Sequence, residues 1–323
     1  MTQQSAGSGP GPSRGRVVVT GAAGLVGQNL IPRLKARGYA DIVAIDKHRR
    51  NTAILAGLHP DIRVIETDLS RPGGWEDAFD GAEALVLLHA QIGGLVQQDF
   101  IANNVTATER VLAEAHRAAL PYMVHVSSSV VNSAAEDGYT ESKKAQERLV
   151  TASGLPCTTL RPTLMFGWFD RKHLGWLARF MSRAPVFPIP GDGRYRRQPL
   201  YAGDFCNIIM ASLEQRMAGR SFDISGLQTI DYIDLIRMLR SVLRLKTPIV
   251  NIPYGLFRGL LRTYALVDKN PPFTAQQLAA LVTPDIFEVI DWPGIFGIVP
   301  TPLEAAFRET YDDPTYSAVT LEF

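Results

Sequence analysis

The chain has 323 residues, of which 46% are hydrophobic, and its 33 lysines and arginines nearly balance its 32 aspartates and glutamates. A chain of this size can bury a large core, and its balanced charge argues against nucleic acid or an anionic membrane as the main partner. Because no run of about 18 apolar residues predicts a membrane span, we expect a globular cytoplasmic protein that binds a small molecule.

The amino-terminal part of the chain combines a tail and a glycine-rich turn. Residues 1–15 are rich in Gly, Ser and Pro and predict a disordered tail. The apolar run at 17–19 predicts a buried strand that leads into Gly21, Gly24 and Gly27 and then into a helix. Such a turn lets the backbone approach a pyrophosphate at the helix N-terminus, so the sequence predicts a nucleotide-binding turn. An ordinary strand-turn-helix is the alternative.

The second predicted strand ends in a carboxylate, Asp46, about twenty residues beyond the glycine turn. A carboxylate there accepts hydrogen bonds from a ribose 2′-hydroxyl and repels a 2′-phosphate, which favours NAD over NADP. Lys47, Arg49 and Arg50 follow it and could instead hold a 2′-phosphate, or form a solvated basic turn.

Strand-like runs alternate with helical patterns along the next hundred residues. The strands are predicted at 62–68, 84–90, 121–129 and 157–163, with helices at 104–117 and 139–151. This alternation predicts an α/β fold with a Rossmann-like, doubly wound parallel sheet over 16–165. Residues 166–323 are predicted to form mainly a smaller C-terminal substrate-binding lobe, with about 200–226 returning to the sheet. The two cysteines lack metal-ligand spacing, which favours free thiols in a reducing compartment and no metal site.

One predicted helix carries an acid/base pair. Tyr139 and Lys143 are four residues apart and therefore share a helix face, and the preceding strand ends in three serines. A nearby ammonium lowers a tyrosine pKa, and a serine hydroxyl can hold the same substrate oxygen. The alternative is that both residues lie on an ordinary surface helix.

Together these motifs resemble the extended short-chain dehydrogenase/reductase family, particularly its nucleotide-sugar epimerase and dehydratase branch. The resemblance implies a cofactor site built from the glycine turn, the ends of the second, third and fourth strands, and the start of the following helix. The implied residues besides Tyr139 and Lys143 are Gly21, Ala23, Gly24, Leu25, Val26, Gly27, Asp46, Asp68, Leu69, Ala90 and Asn104.

The same resemblance implies roles in catalysis and substrate binding. Alignment on the serines puts Ser129 at the catalytic position and Ser128 at the substrate, with Tyr139 as acid/base. Lys143 would bind the nicotinamide ribose and tune the tyrosine. Arg197 takes the place of a diphosphate-binding arginine, which suits a fork of paired donors, although a solvated turn is the alternative.

Departures from the family pattern reduce the number of reactions that the resemblance implies. Val130 and Val131 replace the Asp-Glu pair that dehydratases of this branch carry, which argues against dehydration, and Leu164 replaces the asparagine of an R-x-x-N motif. We predict an NAD-dependent epimerase that acts on a nucleotide-diphosphate sugar through a transient keto intermediate, and family resemblance suggests a homodimer. An NAD(P)-dependent reductase or dehydrogenase of a carbonyl substrate and a non-catalytic nucleotide-binding scaffold are the alternatives.

Overall fold

A computed structural model describes residues 14–267 and 275–322 of the chain. Its central sheet has seven parallel strands in the order β11-β6-β5-β4-β1-β2-β3, and three two-stranded sheets lie outside it. This sheet confirms the predicted Rossmann-like α/β class. The strands are β1 (Arg16–Thr20), β2 (Ile42–Asp46), β3 (Arg63–Glu66), β4 (Ala82–Leu87), β5 (Met123–Val126), β6 (Cys157–Pro162), β7 (Met165–Phe166), β8 (Phe187–Pro190), β9 (Arg196–Arg197), β10 (Leu200–Tyr201), β11 (Ser221–Ile224), β12 (Ile230–Asp231) and β13 (Ile249–Ile252).

Helices cover the sheet and form most of the second lobe. They are α1 (Leu25–Ala36), α2 (Arg49–Leu58), α3 (Gln97–Phe100), α4 (Ala107–Arg117), α5 (Gly138–Ala152), α6 (Leu174–Arg183), α7 (Ala202–Gln215), α8 (Tyr232–Val242), α9 (Tyr254–Val267), α10 (Ala275–Val282), α11 (Trp292–Phe296) and α12 (Leu303–Asp312). No helix among the described residues is long and apolar enough to span a membrane.

The all-apolar β1 strand explains why both faces of the sheet are covered. Val17 and Val19 pack on one face, in the cluster that contains residues of α1 and α7. Val18 points to the other face and packs in the cluster that contains residues of α4. Because successive strand residues alternate between faces, an uninterrupted apolar run needs a helical layer on each side.

The second lobe interrupts the sheet between two neighbouring strands. The chain leaves the sheet at the end of β6 and returns at β11, which pairs with β6 in parallel register from Ser221–Thr159 to Ile224–Pro162. Between them, α7 packs against α1 in the same cluster as the sheet. The remaining lobe has its own apolar core, which includes Phe166, Phe187 and Phe307.

Two predicted boundaries differ from the structure. The helix predicted from residue 104 is α-helical only from Ala107, because residues 101–106 form a π-helical turn. The predicted tail falls mostly on residues 1–13, which lie outside the described residues. Its end is ordered, since Arg14 Nη1 donates to Glu214 Oε1 at 2.8 Å and Arg14 forms a β-bridge with Tyr39.

The last described residues, 313–322, form a segment that we call the C-terminal strap. Leu321 of the strap is fully buried in a small cluster with Trp168 and Phe169, against α2. The backbone of Glu322 exchanges two hydrogen bonds with the Asn51 side chain, at 2.7 and 2.8 Å. The strap therefore binds to α2, in the helical layer of the central sheet.

Candidate active site

The glycine turn after β1 is shaped by close backbone contacts. Gly21 has a φ of +67°, and a Cβ on it would come within 2.6 Å of the backbone nitrogen of His89. A Cβ on Gly27 would come within 2.3 Å of the Ala22 carbonyl oxygen, so α1 approaches the turn closely only because of this glycine. Gly24 is the N-cap of α1, and no side chain caps the helix there. The first amides of α1, at Leu25 and Val26, can therefore serve a phosphate.

The carboxylate of Asp46 faces the same turn. It accepts hydrogen bonds from the backbone nitrogens of Ala23 at 3.0 Å and His48 at 2.9 Å. Burial raises the pKa of Asp46, and these amide bonds act against that rise. A buried acceptor at the end of β2 fits the ribose of a dinucleotide.

Two of the three basic residues that follow Asp46 are engaged within the protein. Lys47 Nζ donates to Asn103 Oδ1 at 2.6 Å, and Arg50 forms an ion pair with Glu322 of the strap. Arg49 is exposed at the start of α2. These pairings leave less positive charge for a 2′-phosphate than the sequence suggests.

The other predicted cofactor residues lie after β3 and β4. Asp68 accepts from the amide and hydroxyl of Ser70 at 2.9 and 2.7 Å, beside the buried Leu69. Ala90 is half-buried in the loop after β4. The fully buried Asn104 accepts from the Gln91 nitrogen at 2.6 Å, which anchors that loop.

Tyr139 lies in the first turn of α5, at the carboxyl edge of the sheet. Burial raises its pKa, Asp137 adds to the rise, and a hydrogen bond between the phenol and the Ser128 hydroxyl opposes it. The serine beside Tyr139 is therefore Ser128, whereas Ser129 is half-buried at the start of the 3-10 turn Ser129–Asn132. The alignment on sequence favours Ser129 as the catalytic serine, and that assignment stays a prediction.

Lys143 follows one turn later and is 1% exposed. Burial lowers its pKa to about 7, and the charge of Glu147 acts in the opposite direction. Its Nζ donates to the Val126 carbonyl at 3.1 Å and to Gln146 Oε1. Because the ammonium is directed at β5 and Gln146, it does not lower the pKa of Tyr139 here, contrary to the sequence-based expectation.

Sequence reasoning missed a buried network behind Lys143. Gln146 Nε2 donates to Thr108 Oγ1 at 2.9 Å, and the same hydroxyl is 3.0 Å from His89 Nε2. The other ring nitrogen of His89 lies 2.9 Å from Thr20 Oγ1. Gln146 lies three residues after Lys143, so helical spacing was the available signal.

Sequence analysis also missed a group of charged side chains that binds Ser127, the first of the three serines after β5. Ser127 Oγ donates to Glu147 Oε2 at 2.6 Å, and Arg161 Nε donates to both oxygens of Glu147 at 3.1 Å. The Arg161 guanidinium also lies 3.7 Å from Asp223 of β11. The group joins β5, α5, β6 and β11 at the edge of the site.

The predicted diphosphate residue, Arg197, is half-buried in the second lobe. Its Nη1 donates to the Thr283 carbonyl at 2.8 Å, and its guanidinium lies 5.4 Å from the centre of the Tyr195 ring. Burial lowers its pKa, and the nearby charge of Asp285 opposes that change. In the structure, Arg197 is therefore already bonded to a backbone carbonyl. Among the described residues, no group of three or more His, Cys, Asp or Glu could hold a metal ion.

Comparison with known proteins gives a consistent set of similarities. Residues 17–225 match the model of the NAD dependent epimerase/dehydratase family. The chain is 27% identical to the ceramide reductase of Caulobacter vibrioides, over 79% of this chain and 78% of that protein. It is 24% identical to a 4-hydroxy-2-methyl-3-oxo-4-farnesyl-3,4-dihydroquinoline-1-oxide ketoreductase of Stigmatella aurantiaca, over 76% and 78%.

A solved structure shares the fold over almost the whole chain. The UDP-glucuronic acid 4-epimerase of Bacillus cereus, in complex with NAD, superposes with a TM-score of 0.67 at 20% identity and covers 92% of this chain and 97% of its own. At this identity the similarity concerns the fold.

Proposed function

Because the chain belongs to the NAD dependent epimerase/dehydratase family, we propose that it interconverts a secondary alcohol and a ketone with NAD, using Tyr139 as acid/base. The observation that carries this proposal is the placement of the buried Ser128, at the start of a 3-10 turn that packs against α5, beside the helix that carries Tyr139 in its first turn and the buried Lys143 one turn later. A tyrosine and a serine that can share one substrate oxygen suit removal or return of a hydroxyl proton. Family members are NAD-dependent epimerases, dehydratases and reductases, and NAD supplies the hydride acceptor or donor in such chemistry.

The residues present fit a dinucleotide. The glycine turn, Gly21 to Gly27, offers uncapped helix amides for the pyrophosphate, and Asp46 offers an acceptor for the adenosine ribose. Asp68 and Leu69 would border the adenine, while Ala90, Asn104 and Lys143 would lie on the nicotinamide side. We propose NAD as the cofactor, with NADP less favoured, since the Asp46 carboxylate would repel a 2′-phosphate.

Proton movement at Tyr139 follows from its surroundings. Its raised pKa keeps the phenol protonated at neutral pH, so it can donate a proton to the oxygen of a ketone that is being reduced. Ser128 would hold that oxygen through its hydroxyl. In oxidation the same transfer runs in reverse, and the proton of the substrate hydroxyl moves to the phenolate of Tyr139.

Among reactions of this kind, a one-way reductase or dehydrogenase is the first candidate. Arg197 already binds the Thr283 carbonyl and lies near the charge of Asp285, which makes it a weak receptor for a diphosphate. The two curated relatives described above are named as a reductase and a ketoreductase.

The nucleotide-sugar epimerase predicted from sequence is the second candidate. Asp46 favours it, because an epimerase recycles NAD within one catalytic cycle and the Asp46 site suits NAD. The epimerase named above is described in complex with NAD. A non-catalytic scaffold is less consistent with this chain, since Ser128, Tyr139 and Lys143 are all present at the strand ends. Homodimerisation and a cytoplasmic location stay predictions.

One experiment separates these candidates. The purified protein is denatured, and the released small molecules are identified and quantified against protein by mass spectrometry. Nearly one NAD per chain, especially beside a nucleotide sugar, would support the epimerase. An empty site that binds NADH reversibly and consumes it with a ketone would support the reductase. NADP at one per chain would contradict the role given to Asp46.

A further inference from the structure

Four exposed apolar side chains lie in the segments that follow the carboxyl ends of β4 and β6. Ile92, Leu95 and Val96, in the loop after β4, are 61%, 103% and 54% exposed. Leu164, two residues beyond β6, is 50% exposed. Single exposed leucines are ordinary, but ligands of open α/β sheets bind outside the carboxyl ends of the strands. We call these four side chains the apolar rim.

The loop after β4, which carries three of the four rim residues, is held beside α5, the helix that contains Tyr139. At its start, Asn104 Nδ2 donates to the Gln91 carbonyl at 3.1 Å and to Ser142 Oγ of α5 at 2.8 Å. At its end, a Cβ on Gly138 would come within 2.4 Å of Gln97 Oε1 and 3.0 Å of the Phe100 ring. Both ends of the loop therefore contact α5 near Tyr139, and the apolar side chains lie between them.

The segments that follow β5 and β6 also carry apolar side chains. Val130 and Val131 follow β5 and are half-buried, where related dehydratases carry an acidic pair. Leu164 follows β6 where many nucleotide-sugar enzymes carry a polar asparagine. Arg197, the cation expected to meet a diphosphate, is bonded to the Thr283 carbonyl at 2.8 Å. Exposed or half-buried apolar side chains therefore follow three adjacent strands, β4, β5 and β6.

We propose that the substrate carries an apolar chain or ring system that packs against the rim formed by Ile92, Leu95, Val96 and Leu164. This inference rests on the proposed alcohol and ketone chemistry and names its substrate class. The reacting hydroxyl or carbonyl lies at Tyr139, and the apolar part extends over the loop after β4. Burial of each methylene strengthens binding roughly fourfold, so a few methylenes on the rim dominate affinity.

Binding of a homologous series tests the proposal without knowledge of the natural substrate. The NAD-loaded protein is titrated with 2-butanol, 2-hexanol and 2-octanol by calorimetry, and separately with UDP. We expect the Kd to fall at least tenfold from the shortest to the longest alcohol. We expect the double variant Leu95→Ser/Val96→Ser to lose most of that gain. Val299→Ser is the matched control, because Val299 is 88% exposed outside the rim.

Four outcomes would overturn the proposal. Affinity could be independent of chain length in the wild type, or the gain could persist unchanged in the double variant. UDP could bind at micromolar Kd in a manner that Arg197→Ala abolishes, which would assign the site to nucleotide sugars. The double variant could change the oligomeric state in sedimentation without changing alcohol affinity, which would assign the rim to a second copy of the chain.

The test is separate from the test of the chemistry. The titration measures binding and can be repeated on Tyr139→Phe, whose turnover is expected to fail. Loss of turnover with retained chain-length dependence supports both proposals. Absence of chain-length dependence in a protein that still reduces small ketones would remove the apolar substrate and leave the alcohol and ketone chemistry in place.

Discussion

Glu147→Gln should destabilise the protein markedly while keeping the shape of the side chain. The native carboxylate binds Arg161 and Ser127, and the Glu147 and Arg161 side chains are 15% and 21% exposed. Removing one partner of a buried ion pair costs about 3–5 kcal/mol, whereas an exposed pair is worth about 0–1 kcal/mol. Glutamine still accepts one hydrogen bond and Asp223 stays near Arg161, so we expect a loss of about 2–3 kcal/mol.

The loss is measurable by denaturant and thermal unfolding at pH 7. Each kcal/mol shifts Tm by about 2–4 °C in domains of roughly 150–250 residues, so Tm should fall by about 4–12 °C. Glu304→Gln is the matched control, because Glu304 pairs with Arg308 one turn away at 59% and 54% exposure. That variant should lose no more than about 0.5 kcal/mol.

The pH dependence of the loss gives a stricter test. Burial tends to raise the pKa of Glu147, but hydrogen bonds from Arg161 and Ser127 outweigh it and hold the pKa below its usual range. A carboxylate of this kind contributes stability that is complete above its unfolded pKa of about 4.3 and is lost as pH falls through the folded pKa. The gap between wild type and Glu147→Gln should therefore be constant near neutrality and shrink in acid. A gap under about 1 kcal/mol at pH 7, or one unchanged at pH 3, would refute the reasoning.

Other variants test the site and the strap. Tyr139→Phe should lower NADH-dependent turnover of an accepted ketone by about a hundredfold or more while the Kd for NAD stays within about threefold; retained turnover would exclude Tyr139 as the acid/base. Gly21→Ala should abolish NAD binding, because its Cβ would lie 2.6 Å from the backbone nitrogen of His89. Gly38→Ala is the control, because Gly38 has a φ of +85° and open space at the Cβ position. It should lower the free energy of unfolding by about 1–2 kcal/mol in a denaturant titration and still bind NAD. Leu321→Ala should cost about 2–5 kcal/mol because Leu321 is fully buried, and a loss under about 1 kcal/mol would mean that the strap is not bound in solution. Burial lowers the pKa of Lys143 to about 7, so the unfolded chain binds more protons than the folded chain between pH 7 and about 10.4. The free energy of unfolding of the cofactor-free protein should therefore rise with pH over that range. Lys143→Met should remove this rise, as measured by denaturation midpoints.

The sequence was sufficient for the sheet because the governing patterns are local. The apolar run at 17–19 required a covered strand, and the structure places Val17 and Val19 on one face and Val18 on the other. The resemblance to the extended short-chain dehydrogenase/reductase family is confirmed by the match over residues 17–225. The position of Asp46 at the end of β2 was predictable because it depends only on where the apolar strand ends.

Details that depend on long-range contacts were beyond sequence reasoning. Ser128 and Ser129 are adjacent and chemically identical, and only the turn geometry decides which one meets Tyr139. The partner of Arg197 is a carbonyl 86 residues away, at Thr283, and no local pattern predicts it. The direction of the Lys143 ammonium likewise follows from the β5 carbonyl that it meets in the folded chain.

The C-terminal strap adds a non-covalent connection between the two lobes. The lobes are joined where the chain leaves β6 and where it returns at β11, and again where Leu321 and Glu322 meet α2. Separation of the second lobe from α2 would pull Leu321 out of its buried position and break both Asn51 bonds. Passage of substrate to Tyr139 is then easier by displacement of the loop after β4 than by separation of the lobes, so exchange rates should respond to substitutions in that loop and not to the length of the connection at 162–165.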